Sequence, residues 1–465
     1  MSFRRIRLTF VPVVLACIGL WASAKPATVL AQLSTISVSG NKLVNSSGQE
    51  VVFRGVNALD PLAMHRYMGH FDNAYFAEAR AWGATVIRLP IHPSEWKNTF
   101  YSDPSRPGRD KMQVIENAVT MAASNGMYSI IDWHVIGYPP TNYWFASSYR
   151  TTQAEMVDFW TQISQKYRND PRVVAYEPFN EPVKCRSCWQ VTEEDWIPMR
   201  DWYEGMIDVI RTYDTTKPII VTGLDWGYQL WPMINHPIRR TNLVFSAHPY
   251  PSKGLPWEYY FGFMKDTAPV LVTELAFENA VDGGTFPESY YNDAGGTGLY
   301  REEIVNYLES RGIGWIPWSF GPQWSPEMTN DWNFTPTEQG GYWKEQLLFY
   351  AGGGSPPPPC TATATHVDAM TVTSSGSGKN KRGQATISVK DDCGNPVANA
   401  NVTGDFSGTF TESGRTGVTS SNGVATITTN GTAGGSLSVT FCVTTITHTS
   451  LTYDSAANVE TCDSN

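Results

Sequence analysis

The sequence predicts an α/β protein with two folded parts: a (β/α)8 TIM barrel and a C-terminal all-β immunoglobulin-like sandwich. Two observations predict the barrel. Eight short apolar runs follow one another along the chain, and stretches with helical spacing separate most of them. A third observation predicts the sandwich: after the last helical stretch, the chain is rich in Thr, Ser, Val and Gly and alternates between apolar and polar positions.

The eight runs are nearly continuous in apolar residues, which is typical of parallel strands buried on both faces. We assign the strands to residues 51–57, 85–90, 128–134, 174–181, 217–223, 243–250, 270–274 and 314–320. Helices are expected where apolar residues recur at helical spacing, at residues 72–82, 111–124, 152–167, 195–212, 299–310 and 337–350. A small β-hairpin within residues 32–50 precedes the first strand.

The first residues have the pattern of an export signal. Arg4, Arg5 and Arg7 precede an apolar run that is too short to span a bilayer, and residues 22–24 form a small-residue cleavage site. We therefore expect a protein secreted outside the cytoplasm, with no membrane partner after the signal is removed. Two alternatives stay open: a twin-arginine export route, and, as the weaker one, a lipid anchor on Cys17.

Composition divides the rest of the chain and limits its partners. Residues 352–359 are a Gly- and Pro-rich linker, so the expected segments are a signal, a barrel, the linker and a sandwich, at 1–31, 32–351, 352–359 and 360–465. The net charge of −10 argues against a nucleic-acid partner. The 17 Trp and 22 Tyr suit a surface that stacks flat polar ligands such as sugar rings. A monomer is expected.

The cysteine pattern fits an oxidising compartment. Without Cys17 six cysteines remain, an even number. Cys185 and Cys188 follow the fourth predicted strand, and in an exported protein a disulfide that braces this loop is favoured over a zinc or redox site. The other four allow three pairings, between which the sequence does not choose: Cys360, Cys393, Cys442 and Cys462.

Two carboxylates stand out as catalytic candidates. Glu181 comes at the end of the fourth predicted strand and Glu274 at the end of the seventh. Since parallel strands of a barrel end at one face, both should meet there, and two carboxylic acids in one cleft are what glycosidic bond cleavage requires. Either residue alone could be an ordinary glutamate held by Arg or Lys. The rival carboxylates near the same face are Asp60, Asp132, Glu177 and Glu278.

Further motifs at the predicted strand ends carry a family resemblance. They are Arg88 in Ile87–Pro90, His134 after Asp132–Trp133, Asn180 before Glu181, His248 and Tyr250 in Ala247–Tyr250, Glu274 after Thr273, and Trp318 before Ser319–Phe320. Each motif is weak alone, but in this order and each at a different strand they are specific. Residues 33–350 resemble the cellulase-type enzymes of glycoside hydrolase family 5, and the C-terminal part lies outside the resemblance.

The resemblance implies a role for each residue. Glu181 is expected to be the general acid and base, with a pKa raised by burial and by the charge of Glu274, and Glu274 the nucleophile. Arg88 and Tyr250 are expected to fix Glu274, and Asn180 to bond the sugar 2-hydroxyl. His134 and His248 are expected to bond sugar hydroxyls or to orient the carboxylates. Trp318 is expected to stack on the sugar ring at the cleavage point, with Trp226 and Trp324 in further subsites. This chemistry requires no cofactor or metal.

The resulting prediction is a secreted, retaining endo-β-1,4-glucanase that acts on β-1,4-linked polysaccharide. The alternatives on the same site are a β-mannanase or another β-glucan or xyloglucan hydrolase, and a transglycosylase. A non-catalytic carbohydrate-binding protein belongs to a different class, and the presence of both glutamates opposes it. The C-terminal part contains no Trp, which favours a spacer or adhesive domain over a sugar-binding module.

Overall fold

The computed structural model describes residues 33–103, 105–188, 190–278, 286–296, 298–354, 362–392, 396–420 and 423–465. The expected export signal lies outside the described residues, as do Cys360, Cys393 and most of the predicted linker. No helix in the described part is both long and apolar enough to cross a membrane.

Eight parallel strands form the barrel, as the sequence predicts: β1 Gly55–Asn57, β2 Val86–Ile91, β3 Tyr128–Trp133, β4 Val173–Glu177, β5 Ile219–Thr222, β6 Leu243–Ser246, β7 Leu271–Leu275 and β8 Gly314–Pro317. Strands β1 to β6 pair in sequence order, and β7 pairs with β8. Parallel bridges at Phe245–Val270 and Arg54–Trp315 join the two sheets at both edges. The carboxyl ends of all eight strands therefore face one side of the barrel.

Six helices of nine or more residues occur in the described part of the barrel: α1 Asn73–Ala81, α2 Lys111–Ser124, α3 Gln153–Tyr167, α4 Glu193–Arg211, α5 Tyr300–Ser310 and α6 Glu338–Ala351. Capping boxes begin two of them, with Thr152 before α3 and Thr192 before α4. The β5–β6 and β6–β7 connections contain short helical turns at Leu224–Gly227, Trp231–Met233, Trp257–Tyr260 and Gly262–Asp266.

The fourth strand ends earlier than the sequence predicts. It stops at Glu177, because Pro178 has no N–H with which to continue the ladder. Glu181–Pro182 then forms a separate short strand that pairs with Ile136–Tyr138, in the connection after β3. The prediction of one strand over 174–181 was therefore wrong, and Glu181 lies on a segment that is braced by the neighbouring loop.

The N-terminal hairpin closes the opposite end of the barrel. Its strands, Ser37–Ser39 and Lys42–Val44, are antiparallel. Ile36 and Leu43 pack with apolar residues at the N-terminal ends of the barrel strands, Phe53, Val86, Ile130, Val174, Ile220, Val244, Leu271 and Ile316 among them. With this end filled by side chains, the open end for a ligand is the one where the strands end.

Many of the tryptophans belong to the barrel core. The fully buried ones are Trp82, Trp133, Trp160, Trp196, Trp315 and Trp343. They pack between the strands and the surrounding helices, in a cluster with Phe159, Tyr176 and Tyr203. Much of the tryptophan content thus contributes to apolar burial, and only the remaining rings are available to a ligand.

The C-terminal part is all-β. Its strands are β9 Ala364–Ser375, β10 Arg382–Asp391, β11 Asn401–Gly408, β12 Glu412–Val418, β13 Val424–Thr428, β14 Val439–Thr447, β15 Thr452–Tyr453 and β16 Cys462–Ser464. They form two four-stranded sheets, in the orders β13-β10-β9-β15 and β12-β11-β14-β16. Alternate residues of both sheets share one apolar core, and the Cys442–Cys462 disulfide joins β14 to β16.

Candidate active site

Glu181 and Glu274 meet at the carboxyl ends of the strands. An oxygen of the Glu181 carboxyl group lies within 4.8 Å of one of Glu274, and both side chains are largely buried. Glu274 is part of β7, whereas Glu181 lies four residues beyond the end of β4. Two carboxyl groups at such a separation can act from opposite sides of one bond.

Arg88, on β2, is the central cation of the site. Its Nε donates to Oε2 of Glu177 at 2.7 Å, and Nη2 lies 3.0 Å from Oδ2 of Asp132. Nη1 donates to Oε2 of Glu274 at 3.3 Å and Nη2 to Oδ1 of Asn180 at 2.7 Å. Burial alone would lower the pKa of Arg88, but the three carboxylates raise it, so this side chain stays charged.

Two side chains donate hydrogen bonds to the carboxylate of Glu274. Tyr250 Oη donates to Oε1 at 2.8 Å, and Arg88 Nη1 reaches Oε2. Burial raises the pKa of Glu274, and Glu181 adds to this effect, while His248, Arg88 and the Tyr250 hydroxyl lower it. Both oxygens of Glu274 are thus held in place, with donors that favour the ionised form.

Glu181 is bonded through Oε1 to Nδ1 of His248, at 3.0 Å. Burial raises the pKa of Glu181 to about 8; Lys253 and Arg88 oppose this, whereas Asp225 and Glu177 support it. The sequence-based expectation of a raised pKa is confirmed, but the negative charges that contribute most are Asp225 and Glu177 rather than Glu274.

The hydrogen bonds around Thr273 indicate which partner holds the proton between Glu181 and His248. Thr273 Oγ1 donates its hydrogen to Oε1 of Glu177 at 2.9 Å, so it accepts from Nε2 of His248 at 3.1 Å. Burial lowers the pKa of His248 to about 4, so the ring is neutral at neutral pH and its Nδ1 is an acceptor. The proton in the Nδ1–Oε1 bond therefore belongs to Glu181.

Aromatic rings lie beside the two carboxylates. Trp318 is stacked with His134 at a centroid distance of 5.1 Å and with Trp324 at 5.9 Å. His134 Nδ1 bonds Oδ2 of Asp132 at 2.8 Å, which fixes the ring. Tyr149, half-buried nearby, has its pKa raised by burial and by the charges of Glu181 and Glu274. Together they form an aromatic surface at the rim.

Buried N–H groups of Asn180 and Trp226 at this end have no hydrogen-bond partner among the described residues. Nδ2 of Asn180 is unbonded although Oδ1 accepts from Arg88, and Nε1 of Trp226 is likewise unbonded. Trp226 contacts Phe145 edge to face, at 4.7 Å between centroids. Buried donors without a partner are rare in folded proteins, and in a cleft they are available to ligand hydroxyls.

The comparison with protein families agrees with this geometry. The family model described as cellulase, glycosyl hydrolase family 5, matches residues 44–323, which include all eight strands. The chain belongs to glycosyl hydrolase family 5.

The relatives of this chain include proteins with cellulase and endoglucanase names. Cellulase CelDZ1 from a Thermoanaerobacterium species is 28% identical over 306 residues, which cover 63% of this chain and 72% of that protein. Endoglucanase A from Butyrivibrio fibrisolvens is 27% identical over 217 residues, which cover 46% of this chain and 45% of that protein.

A solved β-glucanase structure matches the barrel more fully. The β-glucanase SdGluc5_26A from Saccharophagus degradans is 36% identical, with a TM-score of 0.62, and the match covers 69% of this chain and 95% of that one. The same β-glucanase has been solved in complex with cellotetraose. The similarity confirms the predicted barrel and the predicted family.

The rival carboxylates of this family 5 barrel are engaged elsewhere. Asp60 caps a helical turn and accepts from the His92 amide. Glu177 is fully buried below Glu181, between Arg88 and Thr273. Asp132 is held by Arg88 and His134, and Glu278 accepts from Ser325 and the Phe286 amide. Their positions favour Glu181 and Glu274 as the facing pair.

Three further tryptophans, from predicted strand ends and loops, belong to the core. Trp96 and Trp133 pack around Phe159, and Trp257 packs on Tyr291. Their exposures of 3%, 0% and 6% leave no ring face for a sugar. Trp144, Trp226 and Trp324 are only half-buried and stay available. Tryptophans at predicted strand ends and in loops have the same sequence signature whether they are core or platform.

The expected loop disulfide is present in this structure. Cys185 and Cys188 are bonded, in the loop that follows Glu181. Arg186, between them, places its guanidinium over the Phe145 ring at 5.1 Å from the centroid. Since Phe145 contacts Trp226, the disulfide braces one wall beside Glu181.

Several residues of the site were not identified from the sequence. Asn57 at the end of β1 accepts from Arg88 Nη1 at 2.9 Å and donates to backbone oxygens of β7 and β8. Thr273 links His248 to Glu177. A polar residue at the end of an apolar strand was a usable signal for both. Asp225 and Lys253, which form an ion pair beside Glu181, lie in two loops and had no such signal.

Proposed function

We propose that this chain is a secreted endo-β-1,4-glucanase that cleaves internal bonds of β-glucan chains by double displacement, with retention of configuration. The separation of Glu181 and Glu274 carries the proposal. Retaining glycosidases have carboxyl groups about 5–5.5 Å apart, whereas inverting enzymes need about 6.5–9.5 Å to admit a water molecule. The approach of the two carboxyl groups to within 4.8 Å supports the retaining geometry.

In the first step Glu274 attacks the anomeric carbon while Glu181 protonates the leaving oxygen. Glu274 is suited to attack because Arg88 and Tyr250 bond its two oxygens and favour the carboxylate. Glu181 is suited to donate because burial keeps it protonated at neutral pH. The bond from C1 to the leaving oxygen breaks, a bond from C1 to Glu274 forms, and the proton goes to the departing chain.

In the second step water replaces Glu274 at C1. Glu181, now ionised, takes a proton from that water, and Glu274 leaves as a carboxylate. Esterification of Glu274 removes a negative charge near Glu181, which lowers the proton affinity of Glu181 and suits it to act as a base. The pair thus returns to its starting protonation.

Other groups of the cleft would hold the sugar. The free Nδ2 of Asn180 is placed to donate to a hydroxyl of the sugar at the cleavage point, next to Glu181. The half-buried Trp226 and Trp324 offer apolar faces on which sugar rings stack, whereas Trp318 is 8% exposed, is stacked with His134 and Trp324, and offers only its edge. His134 and His248 are held by Asp132 and Thr273, so they act chiefly by orienting their neighbours.

Glucan is the substrate class best supported by the relatives. The β-glucanase SdGluc5_26A, solved with cellotetraose, matches this barrel over 95% of its own length. Trp318 and Asn180 lie at the rim, where they can contact a sugar ring and a sugar hydroxyl. Such contacts are possible with any β-1,4-linked polymer and do not discriminate between them. A mannanase or xyloglucanase on the same site is therefore the second candidate.

The experiment that tests the proposal is release of reducing ends by residues 33–465. Carboxymethyl-cellulose, barley β-glucan, glucomannan, mannan and xyloglucan are the substrates, and Glu274→Gln is the matched inactive variant. Hydrolysis of β-1,4-glucans by the unmutated protein alone, with the β-anomer as first product by proton NMR, supports the proposal. Activity confined to mannan would keep the site and replace β-glucan by mannan as the assigned substrate. Sugar binding without turnover supports the carbohydrate-binding alternative, and an α-anomer as first product removes the retaining mechanism.

The proposal also assigns the two ends of the chain. Residues 1–31 are an export signal, and residues 360–465 are an accessory domain. All aromatic residues of the sandwich are wholly or partly buried, namely Phe406, Phe410, Phe441 and Tyr453. With the three Phe rings buried and Tyr453 as the one half-buried ring, a spacer role is favoured over sugar binding.

A further inference from the structure

Asp225 and Lys253 form a buried ion pair beside Glu181. Nζ of Lys253 lies 3.1 Å from Oδ1 of Asp225 and donates to the backbone oxygen of the same residue at 2.9 Å. Gln229 Nε2 donates to Oδ2 of Asp225 at 3.1 Å. The two charged side chains are 7% and 11% exposed, so water screens their charges weakly.

The pair is built into a tight loop after β5. Asp225 and Trp226 both have left-handed backbone conformations, with φ of 55° and 59°. Such conformations cost a residue with a side chain about 1 kcal/mol or more, so the loop needs bonds that hold it. The bond from Lys253 to the Asp225 carbonyl is one, and the contacts with Gln229 are others.

This loop packs against the short strand that carries Glu181 and against His248, the hydrogen-bond partner of Glu181. Residues 224–227 pack against the short strand Glu181–Pro182. Gly227 lies so close to the His248 ring that a Cβ there would be 2.9 Å from Nδ1, the atom that bonds Glu181. The amide of His248 also donates to the Gly227 carbonyl. The loop therefore fixes both Glu181 and its hydrogen-bond partner.

We propose that Asp225 and Lys253 are a positioning pair for the acid: the loop that they stabilise places Glu181 and His248, and the aspartate offsets the lysine charge so that Glu181 stays protonated. This inference rests on the proposed function, since it concerns the acid of that mechanism. Among the charges that act on Glu181, Lys253 is the strongest that lowers its pKa, and Asp225 is the strongest that raises it.

Other titratable groups also face Glu181, and the test must separate them from the pair. They come from β2, β3, β4, β6–β7 and the rim loops: Arg88, Asp132, Glu177, His248, Tyr250, Glu274 and Tyr149. A change at position 225 alters one partner of Lys253 and leaves these groups unsubstituted.

Asp225→Asn is the decisive variant. Asparagine tolerates the left-handed conformation and has the same shape, so the loop and the Gln229 contact are retained while the charge is lost. With the negative charge of Asp225 gone and the charge of Lys253 retained, Glu181 loses its proton more easily. The alkaline limb of kcat/KM on barley β-glucan should move down by about 1 pH unit.

The double variant Asp225→Asn with Lys253→Met tests the cause. It removes both charges, so the alkaline limb should return to within about 0.3 pH units of the unmutated protein if the lysine charge causes the shift. Asp266→Asn is the control: this exposed aspartate pairs with Arg311 away from the strand ends, and its loss changes the net charge equally. The control limb should not move.

A titration without substrate separates this inference from the proposed function. The carboxyl carbon of Glu181 is followed by NMR in protein labelled with 13C-glutamate, and its signal is assigned with Glu181→Gln. A lower midpoint in Asp225→Asn that is restored in the double variant supports the pair, even if no polymer is cleaved. Equal midpoints in the unmutated protein and Asp225→Asn overturn the pair, even if the glucanase activity is confirmed. An equal shift in both variants also overturns it.

Discussion

Tyr250 donates a 2.8 Å hydrogen bond to Oε1 of Glu274, the oxygen that Arg88 does not contact. The phenol and the guanidinium thus hold opposite oxygens of one carboxylate. Such an arrangement restricts rotation of the carboxyl group and favours its charged form, both of which a nucleophile requires. Glu181, in contrast, has a neutral histidine as its bonded neighbour. In the proposed mechanism the two carboxylates differ in role because their hydrogen-bond partners differ.

Tyr250→Phe should therefore weaken the nucleophile. Loss of a hydrogen bond to a charged group costs about 1.5–3 kcal/mol, and removal of this donor raises the pKa of Glu274. The ionised form is then lost at higher pH, so the acidic limb of kcat/KM should move to higher pH. Tyr307→Phe is the matched control, because Tyr307 donates a bond of the same length to Glu258. An acidic limb that shifts equally in both variants would contradict the assignment.

Glu181→Gln should slow the first step only on substrates whose leaving group must be protonated. On β-glucan we expect kcat/KM to fall by about 100-fold or more, whereas the first step on a dinitrophenyl cellobioside should change little. Glu278→Gln, which alters a rival carboxylate at the rim, should behave alike on both substrates. A selective loss on β-glucan in Glu278→Gln instead would transfer the acid role to that residue.

The pH dependence of the unmutated protein follows from the same acid. Burial raises the pKa of Glu181 to about 8, so the protonated form, and with it kcat/KM on β-glucan, should decline above about pH 8. The dinitrophenyl substrate should show no such alkaline limb in its first step. Stopped-flow measurement of the first released phenolate distinguishes the two substrates. An alkaline limb of equal position on both would contradict a role of Glu181 in leaving-group protonation.

Arg88 should be essential to stability as well as to the site. Arg88→Met leaves Asp132, Glu177 and Glu274 without their cation, and breaking a buried ion pair on one side costs about 3–5 kcal/mol. Urea unfolding followed by tryptophan fluorescence measures the loss. Lys42→Met is the control: its pair with Glu50 is exposed and contributes about 1 kcal/mol or less. Equal unfolding free energies for both variants would refute the central role of Arg88.

The barrel could be predicted from the sequence because its signal is local. Apolar runs such as Val86–Ile91 record burial on both faces, and strand order follows chain order in this fold. The convergence of Glu181, Glu274 and Tyr250 could be predicted because polar residues at the ends of such runs must face the same rim. The end of β4 at Glu177 was not predicted, because the apolar pattern continues to Phe179. Pro178, which has no backbone N–H to donate to a neighbouring strand, was the signal for it.

What the sequence could not provide is the pairing of side chains from separate loops. Lys253 and Asp225 meet only because the β5 and β6 connections both turn back over the barrel. Likewise, buried Trp133 and half-buried Trp324 differ in the packing around them, not in their local sequence. Distances of this kind depend on the whole fold, so they appear only once it is assembled.

The sandwich should be dispensable for catalysis on soluble chains. It has its own apolar core, centred on Ile387, Phe406 and Phe441, and the barrel's catalytic candidates all lie before Gly354. A protein of residues 33–354 should therefore keep kcat/KM on barley β-glucan within about twofold, since its site and its core residues are intact. Binding to insoluble cellulose should also be unchanged, because the sandwich exposes no Trp and buries its Phe side chains. Loss of cellulose binding with unchanged hydrolysis would assign a glycan-binding surface to the sandwich and contradict its role as a spacer.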